Sequence, residues 1–237
     1  MNKKKILITG ASGFVGINLC KLISKSKYNI SGVYLKKKKF KKFKKIKYIK
    51  KNLTSYENCK KITKNIDIVI MCAANSSGAN IIVNNPISHF TPNVIMNTNI
   101  LQACFENNVK KLIFISSNTV YPNTKKKMNE DDSKFIFFSK YHVVAWMKKF
   151  SEISCEIFSH KIKSNLSCIV VRPGNLYGPF DKFAKREAKV IPALIRRTIE
   201  KENPFEVWGD GKDLKDFLYI DDFIESIVKL IEYKKKI

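Results

Sequence analysis

The chain lacks several features that would assign it to a simple class of protein. Among its 237 residues, no apolar run approaches the roughly 18 residues that a membrane-spanning helix needs. The N-terminus has no apolar leader with a small-residue cleavage site, so we predict a cytoplasmic protein with no membrane partner. Six cysteines occur without a CxxC pair, and the three histidines stand far apart. These spacings predict neither a metal site nor a disulfide framework.

Arginine is also scarce, although the chain is strongly basic. Of 45 basic residues only four are arginine, and the formal net charge at pH 7 is +25. The lysines are spread over the whole chain, which indicates a compositional bias and makes nucleic acid an unfavoured partner. The densest stretch, residues 36–51, holds eleven lysines. We interpret it as a solvated connection, with a phosphate- or RNA-binding strip as the alternative.

A glycine-rich turn near the N-terminus carries the first positive signal. An apolar segment, Lys5–Thr9, runs into Gly10, Gly13 and Gly16 and then into an amphipathic stretch. This order of strand, turn and helix is the setting in which a dinucleotide pyrophosphate binds at a helix N-terminus. The glycines permit the turn, the approach of backbone to phosphate and the packing of helix on strand. The predicted cofactor contacts in this turn are Gly10, Ser12, Gly13, Phe14, Val15 and Gly16.

Apolar runs alternate with helical patterns along most of the chain. The predicted strands are Lys5–Thr9, Ile30–Leu35, Ile66–Cys72, Lys111–Ser116 and Ser167–Arg172, and the predicted helices are Gly13–Ser24, Tyr56–Lys64, Val94–Asn107 and Val143–His160. Continuous apolar strands are typical of a parallel sheet that is buried on both faces. The pattern therefore predicts an α/β fold, a Rossmann-type doubly wound parallel sheet. We expect an NAD(P)-binding domain over residues 1–173 and a small C-terminal substrate-binding portion over 174–237, interleaved with the last sheet elements.

The end of the second predicted strand bears on the choice between NAD and NADP. An Asp or Glu usually occupies this position and accepts a hydrogen bond from the adenosine 2′-hydroxyl. Here the position is Tyr34, and Lys36 and further lysines follow. Because a cation suits a 2′-phosphate, the sequence favours NADP over NAD, with Lys36 as a cofactor contact.

Four further segments occur in an informative order. They are Ala73-Ala74-Asn75, Ser116-Ser117-Asn118-Thr119-Val120-Tyr121-Pro122, the stretch RPGNLYGP from Arg172, and Asp216-Phe217-Leu218-Tyr219-Ile220-Asp221-Asp222. With the glycine turn they resemble the extended short-chain dehydrogenase/reductases, the NAD-dependent epimerase/dehydratase family that acts on nucleotide sugars. The segments ANIIVNNP (79–86), NLYGPFDKF (175–183), VIPALIRR (190–197) and Val207-Trp208-Gly209 are most similar to the GDP-L-fucose synthase branch of that family.

The resemblance implies a set of site residues and a partner. It makes Ser117 the group that orients the sugar near its reacting carbon, and Lys148 the lysine that holds the nicotinamide ribose. It also implies a homodimer formed by the two helices Val94–Asn107 and Val143–His160. The remaining cofactor contacts are Ala73, Ala74, Asn93, Pro173 and Asn175, and the remaining candidates for a nucleotide-sugar substrate are Asn75, Asn175, Lys189, Trp208 and Lys215.

Three positions depart from the pattern of the family. The YxxxK spacing before Lys148 requires a tyrosine at 144, where this chain has Val144. Tyr141, two turns before Lys148 on a similar helix face, is the candidate substitute for the acid/base. Lys189 replaces a histidine and Thr119 a cysteine that serve epimerisation in fucose synthases. A combined epimerase and reductase reaction is therefore not expected, whereas a reduction, a single epimerisation or a dehydration is.

Two functions follow from these observations. The first is an NAD(P)-dependent nucleotide-sugar epimerase, dehydratase or reductase that transfers hydride at a sugar carbon, with Ser117, Tyr141 and Lys148 as catalytic residues. The alternative is a non-catalytic dinucleotide- or RNA-binding protein that has lost the active-site tyrosine. Relatives of this kind usually continue beyond the point that corresponds to Ile237. A truncated gene, a fragment and a smaller lid would each explain that difference.

An acidic cluster near the C-terminus requires a separate interpretation. Asp213, Asp216, Asp221 and Asp222 precede an apolar helical run. Side-chain oxygens in this position ordinarily cap a helix, so we predict capping of a helix that begins near Phe223 rather than a metal site.

Overall fold

The computed structural model describes residues 3–36, 40–75, 85–124, 126–185, 187–207, 210–212 and 214–233. Its strands are β1 Lys5–Thr9, β2 Asn29–Tyr34, β3 Ile46–Lys50, β4 Ile68–Met71, β5 Lys111–Ile115, β6 Ser167–Val171, β7 Asn175–Tyr177 and β8 Phe217–Tyr219. Its α-helices are α1 Phe14–Ile23, α2 Tyr56–Thr63, α3 Pro86–Glu106, α4 His142–Glu156, α5 Val190–Ile199 and α6 Ile220–Glu232. A π-helical turn, Ile157–Lys161, extends α4.

The first six strands form one parallel sheet in the order β3-β2-β1-β4-β5-β6. The chain thus starts at the centre of the sheet, winds outward to β3, and returns to β4 on the other side of β1. This reversal creates a crevice at the carboxyl ends of β1 and β4, where open α/β sheets bind ligands. The predicted Rossmann-type doubly wound fold is confirmed.

One prediction about the sheet was wrong. The lysine-rich stretch 36–51 is not only a solvated connection, because β3 lies within it and pairs with β2 from Ile46 to Lys50. Ile46 is buried, whereas Lys47 and Lys50 are exposed. Burial of alternate apolar side chains overrides the high charge of this segment.

The boundary of one helix near the carboxyl ends of the strands also differs from the predicted one. The helix α3 begins at Pro86 rather than Val94, because Pro86 occupies the first helical turn, where its missing N–H costs nothing. Asn85 caps this helix through its side chain, which accepts a hydrogen bond from the Ser88 N–H.

The predicted capping of the last helix was likewise wrong. The helix α6 begins at Ile220 rather than near Phe223, and no side chain caps its N-terminus. Asp221 and Asp222 lie in the first helical turn, where they interact favourably with the helix dipole. The Asp216 carboxylate instead packs against Gly174, so close that a Cβ on that glycine would lie 2.5 Å from Asp216 Oδ2.

The helix α6 completes one hydrophobic layer of the sheet. Its buried face packs with α1 and the central strands in a single cluster. The opposite layer is built from α2, α3 and the other faces of the strands. Part of the segment 174–237 therefore contributes to the core of the six-stranded sheet.

A second, two-stranded parallel sheet lies beyond β6. In it β7 pairs with β8 from Asn175–Phe217 to Tyr177–Tyr219. The Asn18 side chain of α1 reaches this region, since its Nδ2 donates to the carbonyl oxygens of Phe14 and Pro179 at 3.0 and 2.8 Å. The glycine turn and the C-terminal portion are thus hydrogen-bonded to each other.

Within the described ranges, no helix is both long and apolar enough to cross a bilayer. The same residues include no group of three or more His, Cys, Asp or Glu side chains arranged to hold a metal ion.

Candidate functional site

The glycine turn after β1 is packed too closely for side chains at two of its glycines. Gly10 has a φ of +68°, a conformation that favours glycine, and a Cβ there would lie 2.6 Å from the Ala73 Cα. A Cβ on Gly16 would lie 2.2 Å from the Gly10 carbonyl oxygen. These two glycines allow the turn to lie against β4 and allow α1 to lie against the turn. The geometry fits the close approach of backbone to a pyrophosphate.

The N-terminus of α1 is available for an anion. Gly13 is its N-cap residue and, having no side chain, makes no capping hydrogen bond to the first turn. The unpaired N–H groups of the first turn and the helix dipole favour negative charge at this point. Phe14, Val15 and Gly16, which we predicted as cofactor contacts, form that first turn.

Neighbouring strand ends bring the other predicted segments together. The Ala73 N–H donates to the Thr9 Oγ1 at 3.1 Å, which joins the ends of β4 and β1. The Asn118 N–H donates to the Pro173 carbonyl oxygen at 3.1 Å, which joins the segments after β5 and β6. Ser117 directly precedes Asn118 in the segment after β5, and its Oγ accepts a hydrogen bond from the Thr119 N–H at 3.2 Å.

Lys148 projects from α4 toward the carboxyl end of β5. Its Nζ donates to the Ile115 carbonyl oxygen at 2.7 Å and lies 5.0 Å from the centre of the Phe114 ring. Burial lowers the pKa of this lysine to about 8, although the charge of Glu152 acts in the opposite direction. A group with this pKa exchanges protons near neutral pH.

The position that the family pattern reserves for a phenol is apolar. Val144 lies one turn before Lys148 on α4 and is partly buried. Tyr141 is the N-cap residue of α4, and its ring packs edge-on against Phe138 at 5.8 Å. Among the described residues, no hydrogen bond joins the Tyr141 hydroxyl to Lys148. The role of Tyr141 remains a prediction.

Asn75 and Asn93 hydrogen-bond mainly to each other. The Asn93 Oδ1 accepts from the Asn75 N–H at 2.8 Å, and its Nδ2 donates to the Asn75 and His89 carbonyl oxygens at 3.1 and 2.6 Å. The Asn75 side chain donates to the Ser88 carbonyl oxygen. These contacts fix the segment Ala73-Ala74-Asn75 against α3.

Several of the remaining predicted contacts within the described residues are exposed. Asn175 is exposed, and its Nδ2 donates to the Asp216 carbonyl oxygen at 2.9 Å. Lys36, Lys189 and Lys215 are also exposed, on three different segments. Trp208 and most of the segment 79–86 lie outside the described residues.

A buried ion pair lies next to the segment that carries Ser117, and the sequence analysis did not predict it. Glu152, only 7% exposed, accepts hydrogen bonds from the Arg172 Nε and Nη2 at 3.0 and 2.8 Å and from the Ser116 hydroxyl. Arg172 also donates to the Tyr121 hydroxyl at 3.0 Å. The pair therefore links α4, β6 and the segment that carries Ser117. Its only sequence signal is the placement of Glu152 four residues after Lys148 on a predicted helix.

A buried histidine was also missed. His89, on the first turns of α3, is 4% exposed, and its Nδ1 has no hydrogen-bond partner among the described residues. Burial, followed by the charge of nearby Lys148, lowers its pKa. A lone histidine in the sequence carries no signal of such an environment.

Comparison with known proteins agrees with the fold. A model of the NAD dependent epimerase/dehydratase family matches residues 6–237. The chain is 28% identical over 245 residues to GDP-mannose 3,5-epimerase 1 of Oryza sativa subsp. indica, covering 96% of this chain and 61% of that protein. It is 30% identical over 178 residues to GDP-L-fucose synthase of Escherichia coli (strain K12), covering 72% of this chain and 54% of that protein. The chain thus spans less than two thirds of the length of these two relatives.

Solved structures show the same architecture. A UDP-N-acetylglucosamine 4-epimerase from Methanobrevibacter ruminantium M1 superposes with a TM-score of 0.86 at 24% identity, over 100% of this chain and 75% of that one. A UDP-glucuronic acid 4-epimerase from Bacillus cereus, in complex with UDP-glucuronic acid and NAD, superposes with a TM-score of 0.83 at 26% identity. That match covers 98% of this chain and 74% of the other.

Proposed function

The chain belongs to the NAD dependent epimerase/dehydratase family, and we propose on that premise that it is an NAD(P)-dependent nucleotide-sugar epimerase, dehydratase or reductase. The observation that carries the proposal is the juxtaposition of the glycine turn, Ser117 and Lys148 at adjoining carboxyl ends of β1, β4 and β5. The non-catalytic alternative is not favoured, because the relatives and structural neighbours named above are enzymes of nucleotide-sugar conversion.

The chain's own residues divide the work in the proposed site. The first turn of α1 would hold the pyrophosphate, and Lys148 would hold the nicotinamide ribose. Ser117 would orient the sugar so that its reacting carbon faces the ring. When bound, the dinucleotide supplies a hydride acceptor or donor, which no side chain can provide. The buried Glu152–Arg172 pair would keep Ser116 and Ser117 at a fixed distance from α4.

A panel of nucleotide sugars tests this function. The protein is incubated with NAD or NADP and with UDP-glucose, UDP-glucuronic acid, UDP-N-acetylglucosamine or GDP-mannose, and products are followed by chromatography and nicotinamide absorbance. We expect a new product from at least one sugar, which is called the panel substrate below. Tight dinucleotide binding without any product would support the non-catalytic alternative. The absence of dinucleotide binding would refute the proposed function and the dinucleotide-binding form of the alternative.

For the cofactor, we propose NADP rather than NAD. No carboxylate follows β2, and Lys36 is exposed just beyond its end. Nearby, the Lys42 Nζ lies 5.7, 5.6 and 5.8 Å from the ring centres of Tyr34, Phe40 and Tyr48. This edge of the sheet therefore presents cations and aromatic rings where an adenosine 2′-phosphate would lie.

Replacement of Lys36 by glutamine should weaken NADPH binding about tenfold and leave NADH binding unchanged, because one charge-assisted contact to the 2′-phosphate is lost. Fluorescence titration of both nucleotides measures this. Lys64→Gln, at an exposed position after α2, is the matched control and should change neither affinity. Binding of NADH at least tenfold more tightly than NADPH by the wild-type protein would contradict the proposal.

A homodimer is the partner that we propose. Apolar side chains are exposed on the two helices that the family resemblance assigns to the interface: Phe90 and Ile95 on α3, and Trp146 and Phe150 on α4. A second copy packed on these helices would cover them.

A further inference from the structure

Asn18 is a buried polar residue of α1 that the proposed function does not use. It is 2% exposed and lies one helical turn after Phe14, in the helix whose N-terminus would hold the pyrophosphate. Its Oδ1 is buried and has no hydrogen-bond partner among the described residues. An unpaired buried acceptor lowers stability, and asparagine is a poorer helix former than alanine or leucine. The hydrogen bonds of the amide nitrogen must therefore account for its presence.

The amide nitrogen of Asn18 holds two segments that are far apart in the sequence. Its Nδ2 donates to the Phe14 carbonyl oxygen at 3.0 Å. It also donates at 2.8 Å to the carbonyl oxygen of Pro179, which lies 161 residues further along the chain. Because both partners are acceptors, both amide hydrogens are used and the side chain has one orientation. A single side chain thus ties the first turn of α1 to the segment that follows β7.

The segment that follows β7 forms a tight turn over residues 178–181. The Asp181 N–H donates to the Gly178 carbonyl oxygen at 3.3 Å, and Gly178 and Phe180 have φ values of +143° and +69°. A Cβ on Gly178 would lie 2.5 Å from the Ile220 Cγ2, so the turn lies directly against the start of α6. The 178–181 turn is therefore fixed by contacts with both α6 and α1.

The 178–181 turn follows the strand that carries Asn175, a predicted contact to the nucleotide sugar, and the first turn of α1 is the proposed site of the pyrophosphate. We propose that Asn18 is a positioning residue, which sets the placement of the nucleotide-sugar site relative to the dinucleotide by joining these two turns. The inference rests on the proposed function. Hydride transfer requires the sugar carbon to lie close to the nicotinamide ring, and a misplacement of about 1 Å can cost roughly 10²-fold in rate.

Replacement of Asn18 by leucine tests this role, because leucine has the same branching and favours the helix but cannot donate a hydrogen bond. The KM of the panel substrate should rise about tenfold, the effect of one lost buried hydrogen bond, and kcat should fall by about tenfold or more. NADH affinity should stay within about threefold of the wild type, because the N–H groups at the N-terminus of α1 are unchanged. Asn18→Ala, which adds no bulk, gives the same test if leucine disturbs the packing.

Calorimetric titration of the panel substrate measures the same effect without turnover. The affinity of Asn18→Leu for the nucleotide sugar should be about tenfold weaker than that of the wild type, with or without saturating NADH. The reason is that the amide positions the 178–181 turn whether or not the dinucleotide is bound. An unchanged affinity for the nucleotide sugar would overturn the proposal.

Asn107 provides a matched control at the opposite end of the sheet. Its Nδ2 also bridges two acceptors on another segment, the Lys60 carbonyl oxygen at 2.8 Å and the Thr63 Oγ1 at 2.7 Å. It follows α3 and precedes β5, so it lies at the amino ends of the strands, away from the glycine turn. Asn107→Leu should lower the unfolding midpoint, whereas KM, kcat and NADH affinity should remain those of the wild type.

A second variant changes the other end of the link and leaves α1 intact. Phe180→Gly should loosen the 178–181 turn in a folded chain, because glycine adopts a φ of +69° without strain and Phe180 is 40% exposed. If Asn18 acts through this turn, the double variant should have a substrate KM close to that of the worse single variant. Multiplication of the two single effects on KM would show that Asn18 and the turn act independently, which contradicts the proposal.

The outcomes separate this inference from the proposed function. If Asn18→Leu and Asn107→Leu lower the unfolding midpoint equally and Asn18→Leu keeps KM and kcat within about threefold of the wild type, Asn18 has only a structural role. A loss of NADH affinity without a change in KM would make Asn18 part of the cofactor site, which also overturns the inference. In both cases the proposed function stands. That function fails if the wild-type protein neither binds a dinucleotide nor forms any product.

Discussion

Replacing Lys148 by methionine should abolish measurable turnover and at the same time make the folded chain more stable. The loss of rate follows because the amine is the proposed contact to the nicotinamide ribose, and misplacement of a reacting group can cost about 10²-fold or more in rate. The gain in stability follows because a buried cation is replaced by an apolar side chain of similar length.

The pH dependence of unfolding shows why the free energy of unfolding should increase in this variant. The folded-state pKa of Lys148 is about 8, below the ordinary value of 10.5. Between these values the unfolded chain binds more protons, so the free energy of unfolding of the wild type rises with pH across that window. The methionine variant lacks this rise and should be more stable by roughly 1–3 kcal/mol at pH 7, after allowance for the lost hydrogen bond.

Urea unfolding at pH 7 and pH 10, with turnover of the panel substrate, measures both effects. Lys163→Met, at an exposed position, is the control and should change neither quantity appreciably. A methionine variant that keeps the wild-type rate would show that Lys148 does not belong to the reacting groups. A variant that is less stable at pH 7 would show that its ammonium is stabilised by the fold.

Replacing Glu152 by glutamine should destabilise the fold by about 3–5 kcal/mol, because it leaves the Arg172 guanidinium buried without its counter-charge. The two side chains are only 6% and 17% exposed, and their contact is bidentate. In chemical denaturation the midpoint should fall sharply with little change in slope.

An exposed ion pair that begins on the same helix is the control for the effect of burial. Glu156 forms an ion pair with Lys161 at 3.5 Å, and both side chains are more than half exposed. Glu156→Gln should therefore change the free energy of unfolding by no more than about 0.5 kcal/mol. The double variant Glu152→Gln with Arg172→Met should be more stable than the sum of the single effects. Equal effects of Glu152→Gln and Glu156→Gln would refute the structural role of the buried pair.

The glycine turn between β1 and α1 could be predicted from the sequence because its signals are local. The strand before Gly10, the three glycines and the first helix follow one another directly in the sequence. The spacing of the glycines after an apolar strand is typical of the turn that opens a βαβ unit. The role of Lys148 required more than local patterns, since its helix position gained meaning only from the resemblance to a family.

The features that were missed depend on contacts between distant segments. The strand β3 was not predicted because its lysines obscure the alternation of the apolar residues Ile46 and Tyr48. Its pairing with β2 in the structure identifies it as a strand. Glu152 and Arg172 are 20 residues apart and meet only through the packing of α4 on β6. The burial of His89 likewise depends on how α3 and α4 lie together, which no local periodicity encodes.

The pairing of β7 with β8 has a consequence for how such a chain can diversify. Both strands are three residues long, and their parallel pairing sets Asn175 opposite Phe217 and Tyr177 opposite Tyr219, so the excursion between them leaves and rejoins the same small sheet. The entropy lost in closing a loop grows only with the logarithm of its length, so each doubling costs about 0.6 kcal/mol. Insertions and deletions between these strands can therefore reshape the surface beyond β6 during evolution while the register of the central sheet stays unchanged.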